Sequence, residues 1–211
     1  MRKDKKVIKK IMKKSLFEKV EKLKNSVKGG LIEKRILYNG NFINLISEKY
    51  EFPNKKIIHR ESINKNNNKE SVIIIAITKD NKFLLTCQNR INNIVSLEFP
   101  SGYIEESENI SEASIRELEE ETGYTSSDIV LLDSYNASLG IDSSVVNIVI
   151  ANDCRKTKNQ SLGDNEYISF DTFTFEELRA LINEKIITGG GNRLAFFEYK
   201  DLLSKFNFTQ I

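Results

Sequence analysis

No stretch of this 211-residue chain is apolar for the roughly 20 residues that a helix needs to cross a bilayer. Cysteine is scarce: Cys87 and Cys154 stand far apart and form no CxxC pair, which argues against a disulfide scaffold and against structural zinc. His59 is the single histidine and neither cysteine has an obvious activating neighbour, so His- and Cys-based chemistries are set aside. No secretory leader is visible, because the N-terminus is Lys-rich with no continuous apolar segment behind it. These absences predict an intracellular protein with reduced thiols. Cytoplasmic placement is expected, with organelle or nuclear targeting through the basic N-terminus as the alternative. What is present, 39% apolar residues, suffices for one full-sized domain with small additions.

The formal net charge of +2 hides an asymmetry. Residues 1–28 hold 12 Lys and Arg against 3 Asp and Glu, a balance of +9, and the remaining residues hold 20 against 27, a balance of −7. The basic arm carries Ile8, Ile11, Met12, Leu16, Val20 and Leu23 at helical spacing, with Gly29 and Gly30 as the expected stop. Such a helix can contact an anionic membrane, nucleic acid or a protein partner. It can equally be a packing helix with a lysine-solvated face, and a targeting peptide fits less well because the arm holds one Arg.

Three segments follow from the pattern: a basic amphipathic extension over 1–30, a small β subdomain over 31–68 and a main domain over 69–211. RILYNGNFINLI predicts a hairpin turning at Asn39-Gly40, and KYEFPNKKIIHRESI one turning at Pro53-Asn54. This is too little chain for its own core, so it must pack on something or pair with a partner chain. NKNNNKE, from Asn64 to Glu70, reads as a polar linker. In the main domain, Val72–Thr78, Lys82–Gln88, Ile129–Tyr135 and Val145–Asp153 read as strands. Thr174–Lys185 reads as a helix opened by a capping box, and Ala195–Phe206 as a closing helix. Strands, one helix, strands and then helices predict an α/β sandwich with a mixed sheet.

The stretch GYIEESENISEASIRELEEETGY, Gly102–Tyr124, concentrates eight acidic side chains and one Arg in 23 residues. A helix over Ser111–Thr122, capped by Ser111 and stopped by Gly123, puts Ala113, Glu117, Glu120 and Glu121 on one side and Ile115, Leu118 and Thr122 on the other. Carboxylates at i,i+3 and i,i+4 repel by a few tenths of a kcal/mol each, roughly, on an exposed helix. Arg116 offsets part of this, and a cation would neutralise the rest. Carboxylate oxygens are hard ligands that suit Mg²⁺ or Mn²⁺, not zinc. A solvated acidic helix is the plain alternative.

The same stretch resembles the Nudix box, G-x5-E-x7-R-E-U-x-E-E-x-G-U, where U is bulky and apolar. Gly102, Glu108, Arg116, Glu117, Leu118, Glu120, Glu121, Gly123 and Tyr124 stand at the required spacing. Ordinary composition would produce the fixed positions by chance on the order of 10⁻⁸ per start point. A solvated helix needs neither the glycines nor the arginine there. The resemblance implies a Nudix-type α/β/α sandwich preceded by a small antiparallel sheet, and a hydrolase of nucleoside diphosphates linked to another moiety. It implies that Glu117 and Glu121 bind Mg²⁺ or Mn²⁺, that Glu120 assists, and that the Ser101 carbonyl is a further ligand. Arg116 is then expected to orient a box glutamate and Glu108 to support the loop.

Flanking residues are similar to the ADP-ribose pyrophosphatase branch: LEFPSGYIE, which contains Glu98, matches its L-E-x-P-A-G-x-I-E, and Gln88-Asn89-Arg90 resembles its Q-Y-R. The N-terminal strands, with EFPN and His59-Arg60-Glu61, resemble the small sheet through which these enzymes form an intertwined dimer. The resemblance implies a homodimer, with Arg60, Arg90 and Glu98 contacting substrate and Phe52 or Tyr50 stacking on the base. The base catalyst is expected in Asp164-Asn165-Glu166-Tyr167-Ile168, with Glu166 first and Asp164 second, against the alternative of a plain charged loop. Leu139 stands where that branch has Pro, within Ser138-Leu139-Gly140, which leaves other nucleoside diphosphate sugars open. The expected reaction is Mg²⁺-dependent hydrolysis of ADP-ribose or a related compound. Decapping or dinucleoside polyphosphate hydrolysis, and a non-catalytic nucleotide-sensing regulator, are the competing readings.

Overall fold

The computed structural model describes residues 2–65 and 69–205, with side chains from residue 13 onward. Ile8, Ile11 and Met12 of the arm, residues 66–68 of the expected linker and Phe206 therefore lie outside the described side chains. The chain divides into two compact units, Met1–Asn67 and Asn68–Ile211.

The first unit holds helix α1 (Arg2–Ser26) and strands β1 (Gly30–Asn39), β2 (Ile43–Glu51) and β3 (Ile57–Lys65). The three strands form an antiparallel meander, with Arg35 opposite Ser47 and Ser47 opposite Glu61. The helix stops before the glycines expected to end it: the Ser26 hydroxyl donates to the Leu23 carbonyl, and Gly30 already pairs with Glu51. Gly29 serves packing instead, since a Cβ there would lie 3.1 Å from the Phe52 ring. The first hairpin turns over residues 40–42, just after the expected Asn39-Gly40. Gly40 is needed there, because a Cβ would come within 2.7 Å of the Tyr38 ring and 2.9 Å of the Ile43 carbonyl. The second turn is tied by Lys55 N–H to Phe52 O at 2.8 Å, with Lys55 at positive φ.

The second unit is built on β4 (Ser71–Thr78), β5 (Phe83–Asn89), β6 (Val95–Glu98), β7 (Ser101–Tyr103), β8 (Tyr124–Thr125), β9 (Asp128–Ser138), β10 (Asp142–Lys156) and β11 (Ile168–Phe173). β10 runs parallel to β4 and antiparallel to β9, while β7 lies antiparallel to β4. β5 leaves this group after one pairing, Ile77 with Phe83, and joins β6 and β11 in antiparallel fashion. The sheet is mixed, as the order of elements predicted. Strand β11 is not among the strands predicted from the sequence; it follows directly on the charged stretch expected to hold the base.

β4 is apolar from Val72 to Ile77, and both its faces are buried there. Val72, Ile74 and Ala76 pack with Val149, Ala151 and Leu118 of helix α2 (Ile110–Thr122). Ile73, Ile75 and Ile77 pack with Ile148, Ile150, Leu178 and Ile182 of α3 (Phe175–Asn183) and Phe196 and Tyr199 of α4 (Gly190–Lys205). The result is an α/β/α sandwich. Thr174 caps α3 in the expected capping box with Glu177. α4 starts earlier than Ala195, at Gly190, where Arg193 donates to the carbonyls of Ile182 and Ile187 and fixes its first turn.

Candidate active site

The cap of α2 is Asn109, not Ser111. Its carboxamide oxygen accepts from the N–H groups of Ser111 and Glu112, and the Glu112 carboxylate accepts in return from the Asn109 N–H, a complete capping box. Gly123 ends the helix at φ +74°, its N–H bonded to the Glu119 carbonyl. A Cβ there would be both strained and 2.2 Å from the Lys158 carbonyl oxygen. The chain after β10 is thus held against the end of α2. Thr157 donates to the Gly123 carbonyl and Ser161 to the Glu120 carbonyl. The Gln160 carboxamide spans the Glu121 and Ile168 carbonyls at 2.6 and 2.9 Å.

The two sides of α2 differ from the sequence expectation. Leu118 and Thr122 are buried as predicted, Ile115 only half so, and the carboxylate side is also covered: Ala113 and Glu121 are buried, Glu121 to 3% exposure. The cover is the β7 segment. A Cβ on Gly102 would lie 2.0 Å from the Glu117 carboxyl carbon, so only glycine lets the strand pass over that side chain. The Ser101 N–H donates to Glu121 Oε2 at 3.1 Å.

Arg116 is the hub. Its Nε donates to Glu108 Oε1 at 2.6 Å, and Nη2 donates to Glu108 Oε2 at 3.0 Å and to the Tyr103 carbonyl at 2.8 Å. Nη1 donates to Glu117 Oε1 at 2.9 Å and Glu120 Oε2 at 3.0 Å. The guanidinium holds the Glu108 carboxyl below the usual carboxylate range. It does not suffice for the others. Burial pushes Glu117 up to about 7 and Glu121 up to about 8, with Glu166 adding repulsion to both.

Arg116, Glu117, Glu120 and Glu121 line a cleft of about 710 Å³ that also takes in Gln88, Arg90, Glu98, Tyr103, Tyr135, Glu166 and Asn192. Arg90 forms a two-pronged pair with Glu98, Nε to Oε1 at 3.0 Å and Nη2 to Oε2 at 2.5 Å. Glu98, expected on substrate, here orients Arg90. Glu166 folds back so that its carboxylate accepts the Gly163 N–H at 3.0 Å, and it borders the cleft; Asp164 is exposed and is not among the lining residues. Arg60 and Phe52 belong to the first unit: Arg60 is exposed on β3 opposite Glu48, and the Tyr50 hydroxyl donates to Glu48 at 2.9 Å. Leu139 tips the β9–β10 hairpin, closed by Ile141 N–H to Ser138 O at 2.9 Å.

Gln160, Tyr135 and Asn192 went unread in the sequence. Asn192 Oδ1 accepts the Phe99 N–H at 2.8 Å, and Gly191 is forced by Tyr135, whose hydroxyl would lie 2.3 Å from a Cβ. None lies in a motif; only the run of glycines at 189–191 hinted at a close approach.

The donors suit a hard divalent cation. Buried carboxylates with raised proton affinity and one shared guanidinium form a site short of positive charge. As the side chains are posed, no group of three His, Cys, Asp or Glu among the described residues is gathered into a ligand set. Glu117 is turned to Arg116 and Glu121 to the Ser101 amide.

A family profile, the NUDIX domain, matches residues 67–188. A methanol dehydrogenase activator of Bacillus methanolicus is 30% identical over 153 residues, 72% of this chain and 81% of that protein. An ADP-ribose pyrophosphatase of Bacillus subtilis is 27% identical over 157 residues, 73% of this chain and 83% of that one. Among solved structures, an ADP compounds hydrolase superposes with a TM-score of 0.75 at 24% identity, covering 85% of this chain and 96% of that chain.

Proposed function

Because the chain belongs to the Nudix family, as an ADP-ribose pyrophosphatase-like hydrolase, we propose that it cleaves the pyrophosphate of ADP-ribose or a related nucleoside diphosphate sugar. The products are AMP, or another nucleoside monophosphate, and a sugar phosphate. The observation that carries this reading is the pair Glu117, half-buried, and Glu121, buried, packed against Gly102 and Ser101 in a cleft with too few cations. Glu117 and Glu121, assisted by Glu120 and the Ser101 carbonyl, hold Mg²⁺ or Mn²⁺. When bound, the ions screen the pyrophosphate charge and lower the pKa of the attacking water.

The chain's own side chains do the rest. Glu166 accepts the water proton as the water oxygen bonds to phosphorus, and the bond from phosphorus to the bridging oxygen breaks, its electron pair leaving with the departing phosphate. Arg116, braced by Glu108, keeps Glu117 and Glu120 aimed into the cleft. Arg90, held by Glu98, meets phosphate or ribose. Arg60 is a further phosphate or ribose contact, and Phe52 or Tyr50 a stacking surface for the base.

The similarity to a methanol dehydrogenase activator favours a second reading, in which the same pocket serves a regulatory partner. Product analysis with Mg²⁺ on ADP-ribose, UDP- and GDP-sugars, NADH, diadenosine polyphosphates and capped RNA separates the readings. AMP and ribose 5-phosphate from ADP-ribose are the expected products. Preference for capped RNA or a dinucleoside polyphosphate would overturn the substrate class. Nucleotide binding with no turnover of any compound would overturn hydrolysis and leave the regulatory reading.

A further inference from the structure

We propose that the N-terminal helix is a membrane-surface anchor: α1 lies on an anionic phospholipid surface through the stripe formed by Leu16, Val20 and Leu23, with Phe17 beside it. At 100° per residue, Leu16, Val20 and Leu23 fall within a sector of about 60°, and Phe17 lies about 60° beyond its edge, past Lys13 and Lys24. Val27, in the turn after the helix, continues the same line. Most of the stripe is uncovered: Leu16 is 58%, Phe17 57%, Leu23 59% and Val27 67% exposed, while Val20 is half-buried. A helix that only packed within the chain would have these side chains buried.

Charge decides what covers them. Lys13, Lys19 and Lys24 flank the stripe, and the Lys13 ammonium lies 5.9 Å from the centre of the Phe17 ring. Lys14 and Lys24 also pair within the helix, with Glu18 and Glu21. The segment 1–28 nevertheless keeps its balance of +9 while the rest of the chain carries −7, so a negative surface attracts the arm and repels the remainder. Lysine stems can lie along the apolar boundary while their ammonium groups reach phosphate oxygens.

Other occupants fit less well. A nucleic acid would use the lysines, but Leu16, Leu23 and Val27 gain nothing from a phosphate backbone, and Phe17 alone offers a stacking face. A second copy of the helix would set like charges against each other on both sides of the seam. A lipid surface supplies an apolar interior and opposite charge together. No described helix is long and apolar enough to span the bilayer, so the contact is interfacial.

Flotation of the full chain tests this with vesicles of phosphatidylcholine alone and of phosphatidylcholine with about one-third phosphatidylserine. The chain has no tryptophan, so F17W supplies a single reporter. We expect binding at low salt that falls about tenfold or more without phosphatidylserine, and a blue shift of F17W emission on binding. Leu16→Ser with Leu23→Ser, which leaves the charge unchanged and alters only exposed side chains, should weaken binding about tenfold. Failure to bind either vesicle overturns the proposal. So does undiminished binding by the serine variant with no F17W shift, which would mean plain charge attraction. Stronger binding to an RNA oligonucleotide that displaces vesicles, or loss of self-association in the serine variant, would assign the helix to those partners instead. Vesicle binding is read without substrate, so the result stands apart from the hydrolase assignment.

Discussion

Glu166 and Asp164 stand two residues apart on one turn, yet only Glu166 brings its carboxylate back to the Gly163 N–H and the cleft. Glu166→Gln should therefore lower kcat by about 10²–10⁴ with little change in KM, while Asp164→Asn stays within about twofold. The reverse ranking in steady-state kinetics would move the base to Asp164. Glu117→Gln and Glu121→Gln should each cost about 10³ in kcat at saturating Mg²⁺, and calorimetry should show weakened Mg²⁺ binding. Full turnover by either variant would remove it from the ion site. The spacing of Glu117, Glu120 and Glu121 was legible because helical geometry alone puts them side by side. The burial of Glu121 and the cover over Glu117 were not, because they depend on β7, which arrives from earlier in the chain and passes close only through Gly102. Glu98 shows the same limit: its motif position suggested substrate, and its fork with Arg90 could not be read from the sequence.

Helix α2 carries the acidic residues and its start decides their aim. The capping box at Asn109 and Glu112 satisfies amides that would otherwise face the loop unpaired. Asn109→Ala should destabilise the fold by about 1 kcal/mol, seen as a fall of about 2–4 °C in Tm. Ser111→Ala should be near neutral, and an equal loss there in thermal melts would return the cap to Ser111. Both residues are common caps, and the sequence contains a box-forming Glu only for one: Glu112 lies three after Asn109, whereas Ser114 lies three after Ser111. That signal was available and was outweighed by the serine next to the periodic run. Strand β11 was obscured differently: ISFDTF alternates apolar and polar residues, a weak strand signal, but it is short, follows a charged stretch and pairs with β5 over a long range.

At the scale of the molecule, β1 has β2 as its antiparallel partner in the small sheet, and it exposes Leu31, Ile32, Ile36, Leu37 and Tyr38. Exposed apolar side chains on either side of the charged run Glu33-Lys34-Arg35 offer an association surface, and it is here that the expected homodimer would be sought. Ile36→Asp with Leu37→Asp should convert a dimer to monomer in light scattering, weakening association at least about tenfold. An unchanged dimer mass would place the interface elsewhere. The sequence by itself determined the strands β4, β5, β9 and β10, the helices of the main domain, the turn regions and the acidic box, because each is set by period, capping or spacing within a few residues. Tertiary structure alone decided that β10 runs parallel to β4, that β5 departs to join β6 and β11, and that the carboxylate side of α2 is buried beneath Ser101 and Gly102. The reason is physical: a hydrophobic pattern states which face must be covered but not by what. The partner is chosen by closure of the whole chain, where strands far apart in sequence compete for the same edges.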